Sequence, residues 1–162
     1  MGTTTAAIRA ATLVVSADAK TKTYGAADPT FTASYAGFVN NETPAVLGGT
    51  LAFSRAPGET VGSYLITPNR LTSSNYAITF NTGILTITAP TPVMLPLLVT
   101  ATNVMITWSA VSNGIYRVQY KPFLNATNWT DLIGDVLSSG SRASKTDLQT
   151  TANRCYRVQV VP

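Results

Sequence analysis

Short segments in which apolar and polar residues alternate occupy most of the chain. Because successive side chains of a strand point to opposite faces, this period of two predicts β-strands that each bury one face. The connections between them are rich in Gly, Pro, Asn and Asp, which adopt turn conformations readily. The predicted strands cover residues 7–17, 31–35, 50–54, 62–67, 76–80, 84–88, 103–108, 115–120 and 156–161, with one short helical turn at 43–47. The pattern predicts an all-β protein.

A proline-rich stretch divides this pattern into two halves. Residues 90–96 include Pro90, Pro92 and Pro96. Proline has no backbone N–H and is excluded from helix interiors and central strands, so we predict a linker at residues 90–96. The flanking segments, residues 8–89 and 97–162, are each close to the smallest size that can form its own core. From the spacing of their strands we predict two small β-sandwich domains.

Several short motifs follow one another in the first half. Their order is Tyr24-Gly25 with Asp28-Pro29, then Val61-Gly62-Ser63-Tyr64, then Asn75-Tyr76, and finally Leu85-Thr86-Ile87. With these motifs, residues 8–88 resemble the MBG domain, a mostly-β repeat of large bacterial surface proteins. The resemblance implies an extracellular, adhesin-like or stalk-forming module, usually one of several in tandem, with no catalytic residues.

The second half has a different pattern. An early strand ends in Trp108, a strand with alternating aromatic and polar residues follows at 115–120, and a related strand closes the chain at 156–161. Together with the run Leu-Asn-Ala-Thr-Asn-Trp-Thr-Asp-Leu at 124–132, this region resembles the fibronectin type III-like domain of many bacterial secreted and surface proteins, over roughly residues 93–162. The resemblance implies a sandwich used as a spacer or for binding.

Composition excludes several classes of function. Of the 162 residues, 45% are hydrophobic and 11% are charged, and the net charge of +4 is dispersed without any Lys/Arg run. A nucleic-acid partner is therefore not expected, because such binders concentrate positive charge on one face. No apolar stretch approaches the ~20 residues that a membrane-spanning helix needs. Thinly charged chains rich in Thr, Ser and Asn are typical of secreted modules.

The residues needed for common catalytic and metal sites are missing. Histidine is absent, which excludes Ser-His-Asp and Cys-His catalysis and most zinc sites. The single cysteine, Cys155, excludes a cysteine-based metal cluster, and we expect its side chain to be buried or half-buried. Asp131 and Asp135 have a spacing that suggests calcium, but they lack the dense acidic alternation of a calcium loop, and a solvated turn is the favoured interpretation. We therefore predict no enzyme, no cofactor and no metal site.

A candidate surface for a ligand or partner lies on the second half. If strands 115–120 and 156–161 belong to one sheet, their polar residues share its outer face. These residues are Arg117, Gln119, Arg157 and Gln159. Trp129 follows a loop-like run and has two interpretations: an exposed ring that stacks on a sugar, or a core side chain opposite Trp108.

The N-terminal segment suggests a different kind of contact. Residues 3–17 are apolar and Thr-rich for longer than one strand needs, so Thr5, Ile8 and Leu13 mark a candidate donor strand for the edge of a neighbouring subunit. An ordinary linker from a preceding repeat is the favoured alternative. The first residues lack the features of a signal peptide, so we expect either a removed leader or a piece of a longer protein.

Together, these patterns predict a non-enzymatic extracellular structural or adhesin module of a bacterial surface or secreted protein, acting as a stalk, spacer or fibre subunit. Two alternatives stay open: a carbohydrate-binding module that uses Trp129, and a filament subunit that assembles by N-terminal strand exchange. The expected partners are other copies or neighbouring repeats of a surface protein, with glycans or a cell-surface protein as further candidates.

Overall fold

The structure is a computed structural model that describes residues 9–148 and 153–161. It is all-β, with 53% of residues in strands and 2% in helix, which confirms the predicted fold class. The strands are β1 (Ala11–Ala17), β2 (Lys20–Thr23), β3 (Ala33–Ala36), β4 (Gly48–Arg55), β5 (Gly62–Thr72), β6 (Tyr76–Asn81), β7 (Gly83–Thr88), β8 (Leu98–Val99), β9 (Val104–Ser109), β10 (Ile115–Lys121), β11 (Thr130–Asp131), β12 (Val136–Leu137), β13 (Arg142–Asp147) and β14 (Cys155–Val161). A 3₁₀ turn at Pro44–Val46 confirms the predicted helical turn.

The chain divides into two compact units. In the described part of the chain, the first unit covers residues 9–21, 28–58 and 63–86, and the second covers residues 22–27, 59–62, 87–148 and 153–161. Two short segments of the first half thus group with the second unit. The domain borders drawn from the sequence, at residues 89/90 and 96/97, stay a prediction.

The first unit has β1 at the centre of a sheet with the order β3-β1-β6. β1 pairs with β3 in antiparallel and with β6 in parallel orientation. Leu13 and Val15 of β1 are fully buried and form a core with Tyr76, as the alternation in this strand predicts. A four-stranded sheet with the order β2-β7-β5-β4 completes the strands of the first half.

β5 is longer than the sequence predicts. The predicted strand ends at residue 67, but β5 continues to Thr72. Pro68 lies opposite Phe53 of β4, and the register between the two strands is irregular from Gly49 to Ala52. Arg70, across from this irregularity, has a positive φ of 69°. The prediction of a strand end at residue 67 was therefore wrong, because pairing with β4 continues beyond Pro68 and resumes after an irregular stretch at Arg70.

The second unit consists of two sheets that share one core. One sheet has the order β13-β9-β8, and in the other β10 lies between β14 on one side and β11 and β12 on the other. Ile106 and Trp108 of β9 and Tyr116 and Val118 of β10 are all fully buried and belong to one hydrophobic cluster. Side chains from both sheets fill a single core, which is the arrangement of a β-sandwich.

The proline-rich segment is part of the second unit and pairs with β9. The N–H of Leu95 donates to the carbonyl oxygen of Thr107, and the N–H of Ser109 donates to the carbonyl oxygen of Val93, both at 2.9 Å. Met94 lies opposite Trp108 in an antiparallel bridge. The segment is therefore attached to β9 by backbone hydrogen bonds, and its role as a linker between domains stays a prediction.

Candidate functional site

The outer face of the β10–β14 pair brings the predicted polar residues together. β14 pairs with β10 in antiparallel orientation along its full length, with Arg117 opposite Gln159 and Gln119 opposite Arg157. Val118 and Val158, opposite each other between these pairs, point to the core side. Since side chains alternate along both strands, the four polar residues share the solvent side. We call Arg117, Gln119, Arg157, Gln159 and Trp129 the outer-face cluster.

Hydrogen bonds connect most of the outer-face cluster. Arg157 Nε donates to Gln119 Oε1 at 2.7 Å, and Gln119 Nε2 in turn donates to Asp131 Oδ1. Arg117 holds Asp135 with two parallel hydrogen bonds of 2.8 Å each and lies 3.5 Å from a second oxygen of Asp131. Planar, two-pronged pairing of this kind fixes the geometry of the guanidinium and the carboxylate and is stronger than a neutral hydrogen bond. We call the connected side chains the ladder; they are Arg157, Gln119, Asp131, Arg117 and Asp135.

The pKa values of the ladder follow from this pairing. The hydrogen bond to Asp135 raises the pKa of Arg117 further above its ordinary value. Conversely, the hydrogen bond from Arg117 lowers the pKa of Asp135, because it stabilises the ionised carboxylate. Asp131 and Asp135 are therefore engaged with cationic and amide donors. In the described residues, no group of three or more His, Cys, Asp or Glu side chains is placed to hold a metal ion.

Trp129 lies on the outer face and not in the core opposite Trp108. Its side chain is half-buried, and it does not belong to the hydrophobic cluster around Trp108. Cζ of Arg157 lies 4.4 Å from the centroid of the Trp129 ring, and Nζ of Lys121 lies 4.8 Å from it. Both distances are within the range of cation–π attraction. The interpretation as a core residue is therefore wrong, and the ring is held by two cations from β10 and β14.

Of the three candidate donor-strand residues, one lies in the described part of the chain. Thr5 and Ile8 lie outside the described residues. Leu13 is fully buried in β1, which pairs on both sides with β3 and β6. Leu13 thus belongs to the core of its own unit in this structure. A donor strand would have to come from the residues before β1.

A buried ionic cluster in the second unit has no counterpart in the sequence analysis. The carboxylate of Asp147 is only 3% exposed and accepts hydrogen bonds from Arg154 Nη1 at 2.6 Å and from the hydroxyl of Tyr156 at 2.7 Å. Burial and the hydrogen bond to Asp147 raise the pKa of Tyr156. Arg154 also stacks over the ring of Tyr120, with Cζ 3.9 Å from its centroid. Asp147 ends a polar run, and a single acid in such a run gives no hydrophobic periodicity. The sequence therefore could not predict this cluster.

Two further observations concern the single cysteine and membrane-spanning helices. Cys155 is a free, half-buried cysteine at the start of β14, as expected. No helix among the described residues has the length and hydropathy to cross a membrane.

The motif Tyr24-Gly25-Ala26 forms a tight turn in the first half. The N–H of Ala26 donates to the carbonyl oxygen of Thr23 at 3.0 Å, and Gly25 has a φ of +80°. A positive φ at the third position of a four-residue turn requires glycine or asparagine, which explains the glycine of the motif. Residues 13–86 match the MBG domain of the YGX type. The resemblance seen in the sequence is thereby confirmed for this part of the chain.

We call residues 13–86 the MBG region, because they match a domain family that is typical of bacterial surface proteins. The fibronectin type III-like resemblance lies outside the MBG region and stays a prediction. Comparison with curated proteins and with solved structures gives no match to this chain.

Proposed function

We propose that this chain is a non-enzymatic extracellular structural module of a bacterial surface protein, in which it acts as a stalk, spacer or fibre subunit. The observation that carries the proposal is the match of residues 13–86 to the MBG domain. Domains of this family are typical of bacterial surface proteins. The all-β fold is compatible with the proposal, because core strands are among the elements that open least readily in a folded protein.

The pairing of surface charges also supports a structural role. Arg55 donates to Asp28 at 2.6 Å in the first unit, and Arg117 donates to Asp135 at 2.8 Å in the second. Lys145 donates to the backbone carbonyl oxygens of Leu132 and Ile133 at 2.8 and 2.7 Å. These polar side chains are engaged with other groups of the protein, so no ligand is needed to satisfy them.

Surface location can be tested on the source cells. Antibodies raised against the purified chain should label intact cells, with an antibody against a cytoplasmic protein as the control that labels only lysed cells. Labelling of the chain only after lysis would contradict the proposal.

The spacer role can be tested with tandem copies. Small-angle X-ray scattering of one, two and three linked copies should show a maximum dimension that grows by equal increments. A matched series in which each join contains a flexible Gly/Ser segment should grow more slowly, roughly with the square root of its length. Equal growth in both series would show that the chain does not hold a fixed spacing.

A carbohydrate-binding module is the second candidate, and Trp129 is the residue that favours it. Its ring is only half-buried and shares a face with the amide of Gln119. A sugar would have to stack beside, or displace, the cations of Lys121 and Arg157. In a glycan array, Trp129→Ala should abolish binding under this candidate. Phe123→Ala, which changes an exposed aromatic side chain (58% exposed) elsewhere on the second unit, should not. Absence of any glycan binding by the wild-type chain would remove this candidate.

Assembly by N-terminal strand exchange is the third candidate. It depends on the residues before β1, because Leu13 is buried within its own unit. Deletion of residues 1–10 should convert filaments to monomers under this candidate. Unchanged particle size by light scattering after the deletion would count against it.

A further inference from the structure

β14 has one long edge that pairs with no other strand in the described part of the chain. It forms seven residue pairs with β10, from Ile115 opposite Val161 to Lys121 opposite Cys155, without a shift in register. Among residues 9–148 and 153–161, β10 is the only strand that pairs with β14. The other side of β14 is therefore a sheet edge.

The hydrogen bonds on the far side of β10 show which backbone groups of β14 point to this edge. The carbonyl oxygen of Val118 accepts from the N–H of Leu132, and that of Gly114 accepts from the N–H of Ser138, each at 2.9 Å. Even-numbered residues of β10 thus direct their backbone groups towards β11 and β12. The odd-numbered residues of β10 must then face β14.

The pairing register with β10 shows which residues of β14 direct their backbone groups to the open edge. Arg157 and Gln159, opposite Gln119 and Arg117, direct their N–H and C=O groups to β10. Val158 and Val160 direct theirs away from β10, to the open edge. Backbone donors and acceptors arranged in this way form a template for another strand.

Most other edge strands are shorter or interrupted. β8, β11 and β12 have two residues each, and β4 is irregular between Gly49 and Ala52. β14 has seven residues, contains neither Pro nor Gly, and has a single charged side chain, Arg157. That side chain lies over the ring of Trp129 and donates to Gln119. The common devices that protect a sheet edge are therefore missing from β14.

We propose that two copies of this chain associate by antiparallel pairing of β14 with the partner's β14, centred on Val158. This inference rests on the sheet alone and holds whether or not the chain acts as a surface spacer. Val158 lies opposite the partner's Val158, and because both residues direct their backbone groups to the edge, each donates to and accepts from the other.

Charge and length select this register. When the strands are centred on Val158, all seven residues overlap, and Arg157 lies opposite the partner's Gln159 on the outer face. Centring on Arg157 would place it opposite the partner's Arg157, and like charges in directly opposite positions are destabilising. Centring on Gln159 would shorten the overlap and place Arg157 opposite the partner's Val161.

The core side of β14 favours the same arrangement. Tyr156, Val158 and Val160 pack against the core of the second unit, but each stays only partly buried. In the proposed register Val160 lies beside the partner's Tyr156, an aromatic and β-branched pair of the kind that stabilises antiparallel sheets. Because the contact is the same on both copies, it closes after two chains and forms a dimer, not a fibre.

Sedimentation velocity of the full chain between about 5 µM and 1 mM tests the proposal. The wild-type chain should shift from monomer to dimer as its concentration rises. Val158→Pro should stay monomeric, because proline removes the N–H aimed at the edge and leaves the hydrogen bonds between β10 and β14 in place. A chain that lacks residues 1–10 should still dimerise, which separates this contact from N-terminal strand exchange.

Substitutions at the exposed Gln159 test the register without changing the backbone. Gln159→Lys places a positive charge opposite the partner's Arg157 at two symmetric positions and should raise the dimer dissociation constant about 2- to 30-fold. Gln159→Glu should lower it by a similar factor, and 0.5 M NaCl should reduce both effects. Near-UV circular dichroism should be the same for both variants and the wild type.

Three outcomes would overturn the proposal. They are a wild-type chain that stays monomeric up to 1 mM, a folded Val158→Pro variant that dimerises as well as the wild type, and equal dissociation constants for Gln159→Lys and Gln159→Glu. If Val158→Pro fails to fold, the opposite effects expected at Gln159 still decide the question.

Discussion

Tyr116→Phe removes one hydroxyl group from the core of the second unit. Tyr116 is fully buried, and its hydroxyl oxygen accepts a hydrogen bond from the N–H of Val111 at 3.0 Å. Its ring lies 5.8 Å from that of Trp108, and phenylalanine retains this contact. The substitution therefore isolates the hydrogen bond that ties the loop before β10 to the core.

The expected cost follows from what happens to the N–H of Val111. A net hydrogen bond contributes about 0.5–1.5 kcal/mol, and a donor left buried without a partner costs about 1–3 kcal/mol. Since Val111 is half-buried, water can reach its N–H in part. We therefore expect Tyr116→Phe to lower the free energy of unfolding by about 1–2 kcal/mol. For a domain of this size, each 1 kcal/mol lowers Tm by about 4–8 °C.

Urea unfolding followed by tryptophan fluorescence measures this cost. Trp108 and Trp129 are the two tryptophans of the chain, and both belong to the second unit. Tyr24→Phe is the matched control, because it removes the same atom from a side chain that is 42% exposed, and it should change the free energy by less than about 0.5 kcal/mol. If the two variants agree within about 0.3 kcal/mol, the hydroxyl of Tyr116 does not stabilise the loop and the reasoning is refuted.

Three further predictions concern the ionic cluster, pH and glycine. Asp147→Asn should cost about 1–3 kcal/mol in urea unfolding, because it removes the charge from a buried hydrogen-bonded ion pair; no loss would contradict this. Because Arg117 lowers the pKa of Asp135 in the folded state, its stabilising contribution is present above the unfolded pKa of about 4 and is lost as pH falls below it. Between pH 5 and 2.5, Tm should therefore fall less steeply for Asp135→Asn than for the wild type. Equal slopes for the two proteins would contradict the stabilising pairing of Asp135 with Arg117. Gly37→Ala should lower Tm more than Gly25→Ala: both have positive φ, but only at Gly37 would a Cβ collide with a backbone carbonyl of β1.

Strands with one strongly apolar face could be predicted because their signal is local. β1, β9 and β10 each bury alternate residues, as in Leu13 and Val15 or Val104, Ile106 and Trp108. The alternation of apolar and polar residues along such a segment predicts that every second side chain is buried, whichever strand the segment pairs with. The outward direction of Arg117, Gln119, Arg157 and Gln159 could be predicted for the same reason, since the residues between the buried ones must point to solvent. The pairing of their two strands and the place of Trp129 could not.

Strands with mixed or polar residues could not be predicted in this way. β13, Arg142–Asp147, carries one aliphatic side chain, and β2, Lys20–Thr23, carries none beyond the stems of its lysines. They are strands because β9 and β7 provide partners for their backbones. Pro68 within β5 is the same case, because β4 provides a partner for the strand on both sides of it.

The sequence by itself determined the fold class, the strands with a clear apolar face and the MBG region, because these depend on the order of residues along short segments. Only the tertiary structure decided that Arg157 and Lys121 hold Trp129, that Asp147 is buried with Arg154 and Tyr156, and that one edge of β14 pairs with no strand among residues 9–148 and 153–161. Each of these depends on which segments meet across the fold, and distances between residues far apart in the chain are set by strand pairing and core packing, not by local pattern.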